Sequence, residues 1–172
     1  SMIQRMQKLN DLSLRLDHEL SPIKKSVDVL SLFKAIASKL NTQGSHSVKL
    51  LASPQFSQKT NLDQDLFQQA ILVLLKEISR LTHEDVIKIT LKQGAVKHYD
   101  IEKPQVEVAL FGDLDWSLPP DRELEEFLRR SFESSEEVGL ELLYAKKIIE
   151  KHGGLLSFYR EKGKVVGFEI TL

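Results

Sequence analysis

The C-terminal stretch from Val138 to Leu172 constrains the fold of this chain more than any other part of the sequence. Apolar residues recur there at helical spacing, at Leu140, Leu143, Tyr144 and Ile148. We expect Gly139 to open this helix and His152-Gly153-Gly154 to end it, because a glycine adopts the left-handed conformation of a helix cap at no steric cost. Two strands should then close on the turn Glu161-Lys162-Gly163-Lys164. The stretch therefore predicts a helix followed by a β-hairpin.

The composition is that of an ordinary globular protein with one main domain. The chain has 172 residues, of which 41% are hydrophobic and 28% charged, and this length is sufficient for a hydrophobic core. Lys and Arg number 24 against 25 Asp and Glu, so the charge balance does not indicate binding to nucleic acid or to a membrane surface.

The cysteine count and the apolar runs bear on where the protein works. The chain has no cysteine, which excludes disulfides and thiolate metal sites and is typical of a cytoplasmic protein. No apolar run approaches membrane-spanning length, and the sequence shows no signal peptide. The opening Ser1-Met2 is typical of an expression-vector remnant, so we expect the natural protein to extend upstream.

The first half of the chain predicts two amphipathic helices and a strand. Residues 2–20 are predicted to form a helix that ends before Pro22. The helix has an apolar seam, typical of helix pairing, that consists of Ile3, Met6, Leu9, Leu12, Leu16 and Leu20. Residues 23–29 follow as an extended segment. A second helix over residues 30–41, a loop over 41–47 and a strand over 48–52 complete this half.

A central helix is predicted from Asn61 to Leu81, with Asn61 or Asp63 as its N-cap. It is apolar on most of its surface, which is typical of a core element. Glu77 is the exception, because it shares a stripe with Leu66, Ala70, Val73 and Leu81. A carboxylate at such a position is costly unless it is paired or wetted by a cleft.

The second half of the chain predicts more strands and a short helix. Residues 85–92 alternate apolar and polar, as in a half-exposed antiparallel strand, and residues 106–111 form the next strand. Gly94 and Pro104 bracket either a loop or a hairpin partner. An acidic helix capped by Asp121 should cover residues 121–132. This order of elements predicts an α/β two-layer sandwich, with helices on one face of a mixed, mainly antiparallel sheet.

The last helix and hairpin resemble the end of the ATP-binding domain of sensor histidine kinases, in which a Gly-x-Gly-Leu run opens a helix that ends in His-Gly-Gly before a β-hairpin. This resemblance implies the histidine-kinase-like ATPase fold, shared with DNA gyrase, heat-shock chaperones and MutL-type repair proteins. It divides the chain into an N-terminal helix, residues 1–22, similar to the end of a dimerisation helix, and an ATPase-like domain, residues 23–172. His18 only faintly resembles the phosphoacceptor box, because two residues of that box are missing.

The same resemblance assigns cofactor-binding positions. In the family, the second asparagine of an Asn-Leu-x-x-Asn-Ala box holds magnesium on the ATP phosphates; Glu77 stands there. Asp113 matches the aspartate that bonds adenine in Asp-x-Gly-x-Gly, whose glycines are Asp115 and Ser117 here. Gly139 and Leu140 match part of the phosphate loop Gly-x-Gly-Leu-Gly-Leu, and the lid before this motif is nearly absent.

These replacements fall on the nucleotide contacts and spare the hydrophobic positions. The resemblance therefore implies a degenerate kinase domain that does not hydrolyse ATP and acts as a signalling module. No cofactor is expected, and no catalytic or metal-binding cluster is readable in the sequence. Its expected partners are proteins: a response regulator, a sensor or dimerisation segment, or a second copy through the N-terminal helix. The alternative is a divergent active domain that binds ATP with Mg²⁺ and phosphorylates an upstream histidine.

Two residues keep open interpretations at this stage. Glu77 is either salt-bridged or a metal ligand, and the former is preferred because a carboxylate there would also repel a triphosphate. Trp116 either fills the former nucleotide pocket or anchors an interface; the former is again preferred.

Overall fold

The computed structural model describes residues 2–43, 46–99, 101–114 and 124–172. Within these residues the helices are α1 (Met2–Glu19), α2 (Val29–Gln43), α3 (Gln64–Leu81), α4 (Leu124–Ser134) and α5 (Glu136–Lys151). The strands are β1 (Lys25–Asp28), β2 (Ser47–Ala52), β3 (Lys59–Leu62), β4 (Val86–His98), β5 (Ile101–Phe111), β6 (Leu155–Glu161) and β7 (Lys164–Thr171). None of the described helices is both long and apolar enough to cross a membrane.

Within the described part of the chain, the main sheet has five strands in the order β2-β4-β5-β7-β6. β2 pairs with β4 in parallel, and the remaining pairs are antiparallel. Ile87, Ile89 and Leu91 point from β4 into one core with α2, α3 and α5. β1 and β3 form a separate antiparallel pair. The predicted two-layer sandwich with a mixed, mainly antiparallel sheet is therefore confirmed.

The central helix begins later than the first of its two predicted caps. Asn61 lies in β3, opposite Ser26 of β1, so the prediction that it starts the helix is wrong. Asp63 is the N-cap, because its Oδ1 accepts a hydrogen bond of 3.2 Å from the backbone N–H of Leu66. The predicted apolar character of α3 is confirmed, since its inner face is fully buried against the sheet.

The segment bracketed by Gly94 and Pro104 is a hairpin rather than a loop. Gly94 pairs with Gln105 and Ala95 with Pro104, so β4 and β5 run as one long antiparallel ribbon. Pro104 is tolerated because β7 pairs only with residues 107–111 of β5, which leaves Pro104 on an edge where no N–H is required.

The C-terminal stretch forms the predicted helix and hairpin, but Gly139 does not open the helix. Ser135 is the N-cap of α5, and its hydroxyl accepts a hydrogen bond from the Val138 N–H. At the other end His152 is the C-cap and Gly153 has a φ of +75°. Lys162 and Gly163 form the hairpin turn, both with positive φ. The predicted cap Asp121 lies outside the described residues, and α4 begins at Leu124.

Candidate functional site

Glu77 is buried in α3 and bound to a neighbour on the same helix. Its side chain is 7% exposed, and Arg80 donates hydrogen bonds of 2.6 Å and 3.2 Å to its two oxygens. These bonds raise the pKa of the Arg80 guanidinium. The i, i+3 spacing places the two side chains on one side of the helix. Both carboxylate oxygens of Glu77 therefore accept hydrogen bonds from a cation of the protein itself.

This ion pair lines a cleft of about 370 Å³ between α3, α4 and the start of α5. Besides Glu77 and Arg80, the cleft is lined by Leu81, Phe127, Arg130, Ser131, Ser134, Ser135 and Val138. We refer to it as the α3–α4 cleft. Two guanidinium groups and three hydroxyls are hydrogen-bond donors, so the cleft offers groups that suit an anion. Both guanidinium groups also have carboxylate partners: Arg80 pairs with Glu77 at 2.6 Å, and Arg130 lies 3.6 Å from Glu126, next to the cleft.

Gly139 has a packing function in this structure. A Cβ added to it would lie 2.4 Å from the Cα of Phe132 and 2.7 Å from its backbone nitrogen. Only glycine allows α4 and α5 to approach this closely. The Gly139 N–H donates to the Ser135 carbonyl at 3.0 Å, within the helix. Gly139 and the half-buried Leu140 lie one turn inside α5, next to the cleft-lining Val138 and outside the lining itself.

Asp113 lies at the opposite end of α3 from its N-cap. It is exposed, and its carbonyl accepts hydrogen bonds from the His83 N–H at 3.0 Å and the Thr82 hydroxyl at 3.2 Å. These bonds tie the segment after β5 to the end of α3. The structure thus places Glu77 in the α3–α4 cleft and Asp113 beside the end of the same helix. Asp115, Trp116 and Ser117 lie outside the described residues, so the expected filling of the pocket by Trp116 remains untested.

Sequence reasoning missed the cationic side of the cleft. Arg80 carried a readable signal, because it follows Glu77 at a spacing that favours ion pairs on a helix. Arg130 and the serines carried none, since they reach the cleft only through the packing of α4 against α5. The cap at Ser135 could have been read from a serine followed by two glutamates, which favour the start of a helix.

The kinase fold that the sequence resembles implies a site for ATP with Mg²⁺. The surroundings of Glu77 do not fit a Mg²⁺ ion. A Mg²⁺ ion prefers free carboxylate, phosphate and water oxygens in octahedral geometry. Both oxygens of Glu77 accept hydrogen bonds from Arg80 instead. Among the described residues, no group of three His, Asp or Glu side chains is arranged to hold a metal ion.

The solved structures similar to this chain include those of AdeS, ShkA and ThkA. The histidine kinase AdeS of Acinetobacter baumannii is 16% identical, with a TM-score of 0.63 over 97% of this chain and 75% of its own. Full-length ShkA, in complex with AMPPNP, is 17% identical, with a TM-score of 0.62 over 93% of this chain and 33% of its own. The catalytic domain of the histidine kinase ThkA, in a nucleotide-free form, is 19% identical, with a TM-score of 0.56 over 87% of this chain and 94% of its own.

The sequence matches no protein-family profile and no curated protein. The chain nevertheless has the fold of histidine kinase catalytic domains, the histidine-kinase-like ATPase fold.

Proposed function

We propose that this chain is a degenerate catalytic domain of a two-component sensor histidine kinase that does not hydrolyse ATP and works as a signalling module. The observation that carries the proposal is the ion pair of Glu77 and Arg80. Glu77 stands where the resembled family has the asparagine that holds magnesium on the phosphates. A carboxylate there repels phosphate oxygens, and its bond to Arg80 occupies the cation that could have offset this repulsion.

The start of α5 supports the same proposal. In the resembled family this helix start offers backbone amides to the phosphates. Here the Ser135 hydroxyl accepts from the Val138 N–H, and Glu136 and Glu137 place carboxylates in the first turn. A helix N-terminus attracts anions, and in this chain the protein supplies them itself. A triphosphate would have to displace or tolerate this negative charge.

The partners in this proposal are proteins in the cytoplasm: a response regulator, a sensor or dimerisation segment, or a second copy of the chain through α1. The composition agrees with protein partners, since a net charge of −1 gives the chain no general attraction to nucleic acid.

The second candidate function is a divergent but active ATP-binding domain that phosphorylates an upstream histidine. One observation favours it: the α3–α4 cleft has a volume of about 370 Å³ and contains Arg80, Arg130 and three serine hydroxyls. ShkA, which shares the fold, was solved with the ATP analogue AMPPNP. In this alternative Asp113, Glu77, Gly139 and Leu140 would contact ATP with Mg²⁺.

Thermal unfolding with and without ATP and MgCl₂ separates the two candidates. A ligand at about a hundred times its dissociation constant adds about 2.7 kcal/mol, which raises the midpoint by several degrees in a domain of this size. We expect no shift for the wild-type protein at millimolar nucleotide. A clear shift that Arg130→Glu abolishes would overturn the proposal in favour of the active domain.

Glu77→Asn is the matched variant, because it restores the amide of the resembled family and frees Arg80. Under the proposal, this variant gains a nucleotide-dependent shift that the wild type lacks. Glu84→Asn, at an exposed position after α3, removes the same charge elsewhere and should gain nothing.

A further inference from the structure

A further pocket lies on a different face of α3 from the α3–α4 cleft. It has a volume of about 210 Å³ and lies between α2, β2, α3 and β4. We refer to it as the α2–α3 pocket. The residues that α3 contributes are Leu72, Leu75, Lys76 and Ser79. Their spacing of three and four residues places them on one face of the helix, so this pocket is separate from the cleft that Glu77 and Arg80 line.

Most of the pocket wall is apolar and belongs to the main core. Val48, Leu75 and Ile87 are buried members of that core. Leu40 of α2 and Leu72 of α3 also line the pocket, and both are half-buried, so the pocket opens to solvent beside them. An apolar group that enters such a pocket from water is stabilised in proportion to the apolar area that it buries.

The polar groups of the pocket lie together. The Ser79 Oγ is 2.8 Å from the Nδ1 of His46, and Lys76 lies one turn before Ser79 on the same face of α3. Among the described residues that line the pocket, none is acidic. Lys76 is 3.4 Å from Glu141 of α5, in a pair with both side chains more than a third exposed. Because an exposed pair of this kind is weak, Lys76 can turn to another anion at a small cost.

The backbone around His46 is held on the C-terminal side of this residue. The Asn41 side chain accepts a hydrogen bond of 2.6 Å from the Val48 N–H and donates one of 3.1 Å to the Val48 carbonyl. The Ser47 N–H donates to the Asp85 carbonyl at 2.8 Å. His46 is thereby placed beside Ser79. When the imidazole donates from Nδ1 to the Ser79 Oγ, the hydroxyl proton of Ser79 is available for an acceptor in the pocket.

We propose that the α2–α3 pocket binds a small amphipathic carboxylic acid, with its apolar body against the leucines and its carboxylate at Lys76 and Ser79. An ammonium, an imidazole and a hydroxyl suit an anion, whereas an uncharged apolar molecule would leave them without a partner. A phosphate monoester would bring about two negative charges to a single ammonium, so a carboxylate fits better. The volume of about 210 Å³ is below the range of pockets for drug-sized ligands, which favours an acid with one ring or a short chain.

Lys76 connects this pocket to α5. A carboxylate that draws the Lys76 ammonium towards Ser79 takes it away from Glu141, so a bound acid would change a contact between α3 and α5. Binding in the pocket would thus affect binding on the α5 side of α3, and the reverse. The inference goes beyond the proposed function, since it adds a small-molecule signal and does not depend on whether the protein binds ATP.

The test is a titration of the ¹⁵N-labelled chain with benzoate and with hexanoate, followed by the NMR shifts of the backbone amides. We expect at least one of the two acids to give saturable shifts at the end of α2, in β2 and in α3, with a dissociation constant of about 1 mM or below, which is reasonable for ligands of so few atoms. Benzyl alcohol and 1-hexanol have similar apolar bodies without the charge. They should bind at least about tenfold more weakly, because they lack the charged hydrogen-bond acceptor.

Two variants place the carboxylate. Lys76→Met keeps the apolar stem and removes the ammonium, and Ser79→Ala removes the hydroxyl. Each should raise the dissociation constant of the bound acid about tenfold. Lys49→Met is the matched control, because Lys49 is an exposed lysine of β2 outside the pocket lining, and it should bind like the wild type. Circular dichroism of each variant checks that it is folded.

The proposal is overturned if neither acid gives saturable shifts at about ten times the expected constant, or if the alcohols bind as tightly as the acids. It is also overturned if folded Lys76→Met and Ser79→Ala variants bind like the Lys49→Met control. Shifts confined to the α3–α4 cleft would overturn it as well, because they would assign the acid to Arg80 and Arg130. None of these outcomes depends on nucleotide, so the proposed function can fail separately through the thermal shift with ATP.

Discussion

The imidazole of His152 joins the end of α5 to the start of α3. Its Nε2 accepts a hydrogen bond of 2.9 Å from the Asp63 N–H, and its Nδ1 lies 2.7 Å from the Ile148 carbonyl oxygen. An N–H can only donate and a carbonyl can only accept, so the ring is the neutral tautomer with its proton on Nδ1. The residue that ends the helix is thus a neutral connector and not the cation that its place at a helix C-terminus suggests.

His152→Leu should destabilise the protein by about 1–3 kcal/mol, because it leaves the half-buried Asp63 N–H without its acceptor. The free energy of unfolding in urea measures the effect. His18→Leu is the control: His18 is exposed, and surface substitutions usually stay within about 0.5 kcal/mol. Equal effects of the two substitutions would contradict the connecting role.

Asp63 should make stability depend on acid pH. The hydrogen bond donated by the Ile23 N–H lowers the pKa of its carboxyl, and the Leu66 N–H adds to this. The ionised Asp63 carboxylate therefore stabilises the folded state fully above its pKa in the unfolded chain, about 3.9. This stabilisation is lost as the pH falls through the lower pKa that the carboxyl has in the folded protein. When the free energy of unfolding is measured against pH, Asp63→Asn should reduce the slope of the curve in this acid range. The exposed Asp65→Asn on the same turn should retain the wild-type slope.

Gly139→Ala should destabilise the α4–α5 pair. Alanine is the better helix former by about 1 kcal/mol, but its Cβ would lie 2.4 Å from the Phe132 Cα. The backbone of Phe132 cannot move aside as the end of a flexible side chain can. Overpacking of this kind lowers the free energy of unfolding by about 1–3 kcal/mol. Gly94→Ala is the matched control, because the nearest atom to its added Cβ is 3.6 Å away. Thermal unfolding should show a lower midpoint for Gly139→Ala alone.

Arg80→Met should cost more stability than Arg130→Met. The first leaves the buried Glu77 carboxylate without its donor, at about 1–3 kcal/mol. The second removes a partner 3.6 Å from Glu126, in a pair with both side chains more than a third exposed, worth about 0–1 kcal/mol. Urea unfolding of the two variants at neutral pH measures the difference. An equal loss would mean that Arg80 does not stabilise Glu77.

The elements with a strong hydrophobic period were predictable from the sequence. The apolar stripe of α3 and the apolar–polar alternation of β4 exist because one side of each element faces the core. The stripe is visible over a few helical turns, and the alternation over a few residues. β3 was missed because only Leu62 of its four residues is buried and its partner β1 lies more than thirty residues earlier. Gly139 was misread because the resemblance to a glycine motif outweighed the cap signal of Ser135.

The candidate site was predictable only in part. Glu77 was recognised as an anomaly on an apolar stripe, and the salt-bridged interpretation agrees with its bonds to Arg80. The rest of the cleft depends on how α4 meets α3 and α5, which is tertiary packing without a local signal. In the structure α1 packs its seam against α4 and α5 of the same chain. This could not be read for the same reason, since a leucine seam does not specify which surface buries it.

The parallel pairing of β2 with β4 has a consequence for how the protein folds and unfolds. Residues 47–52 meet residues 86–91 only after β3 and α3 have been placed between them, whereas the hairpins β4–β5 and β6–β7 join neighbours in the chain. Closing the longer loop costs more chain entropy before any contact is gained. β2 should therefore join the sheet after both hairpins, and its amides should be the first of the main sheet to exchange their protons with solvent.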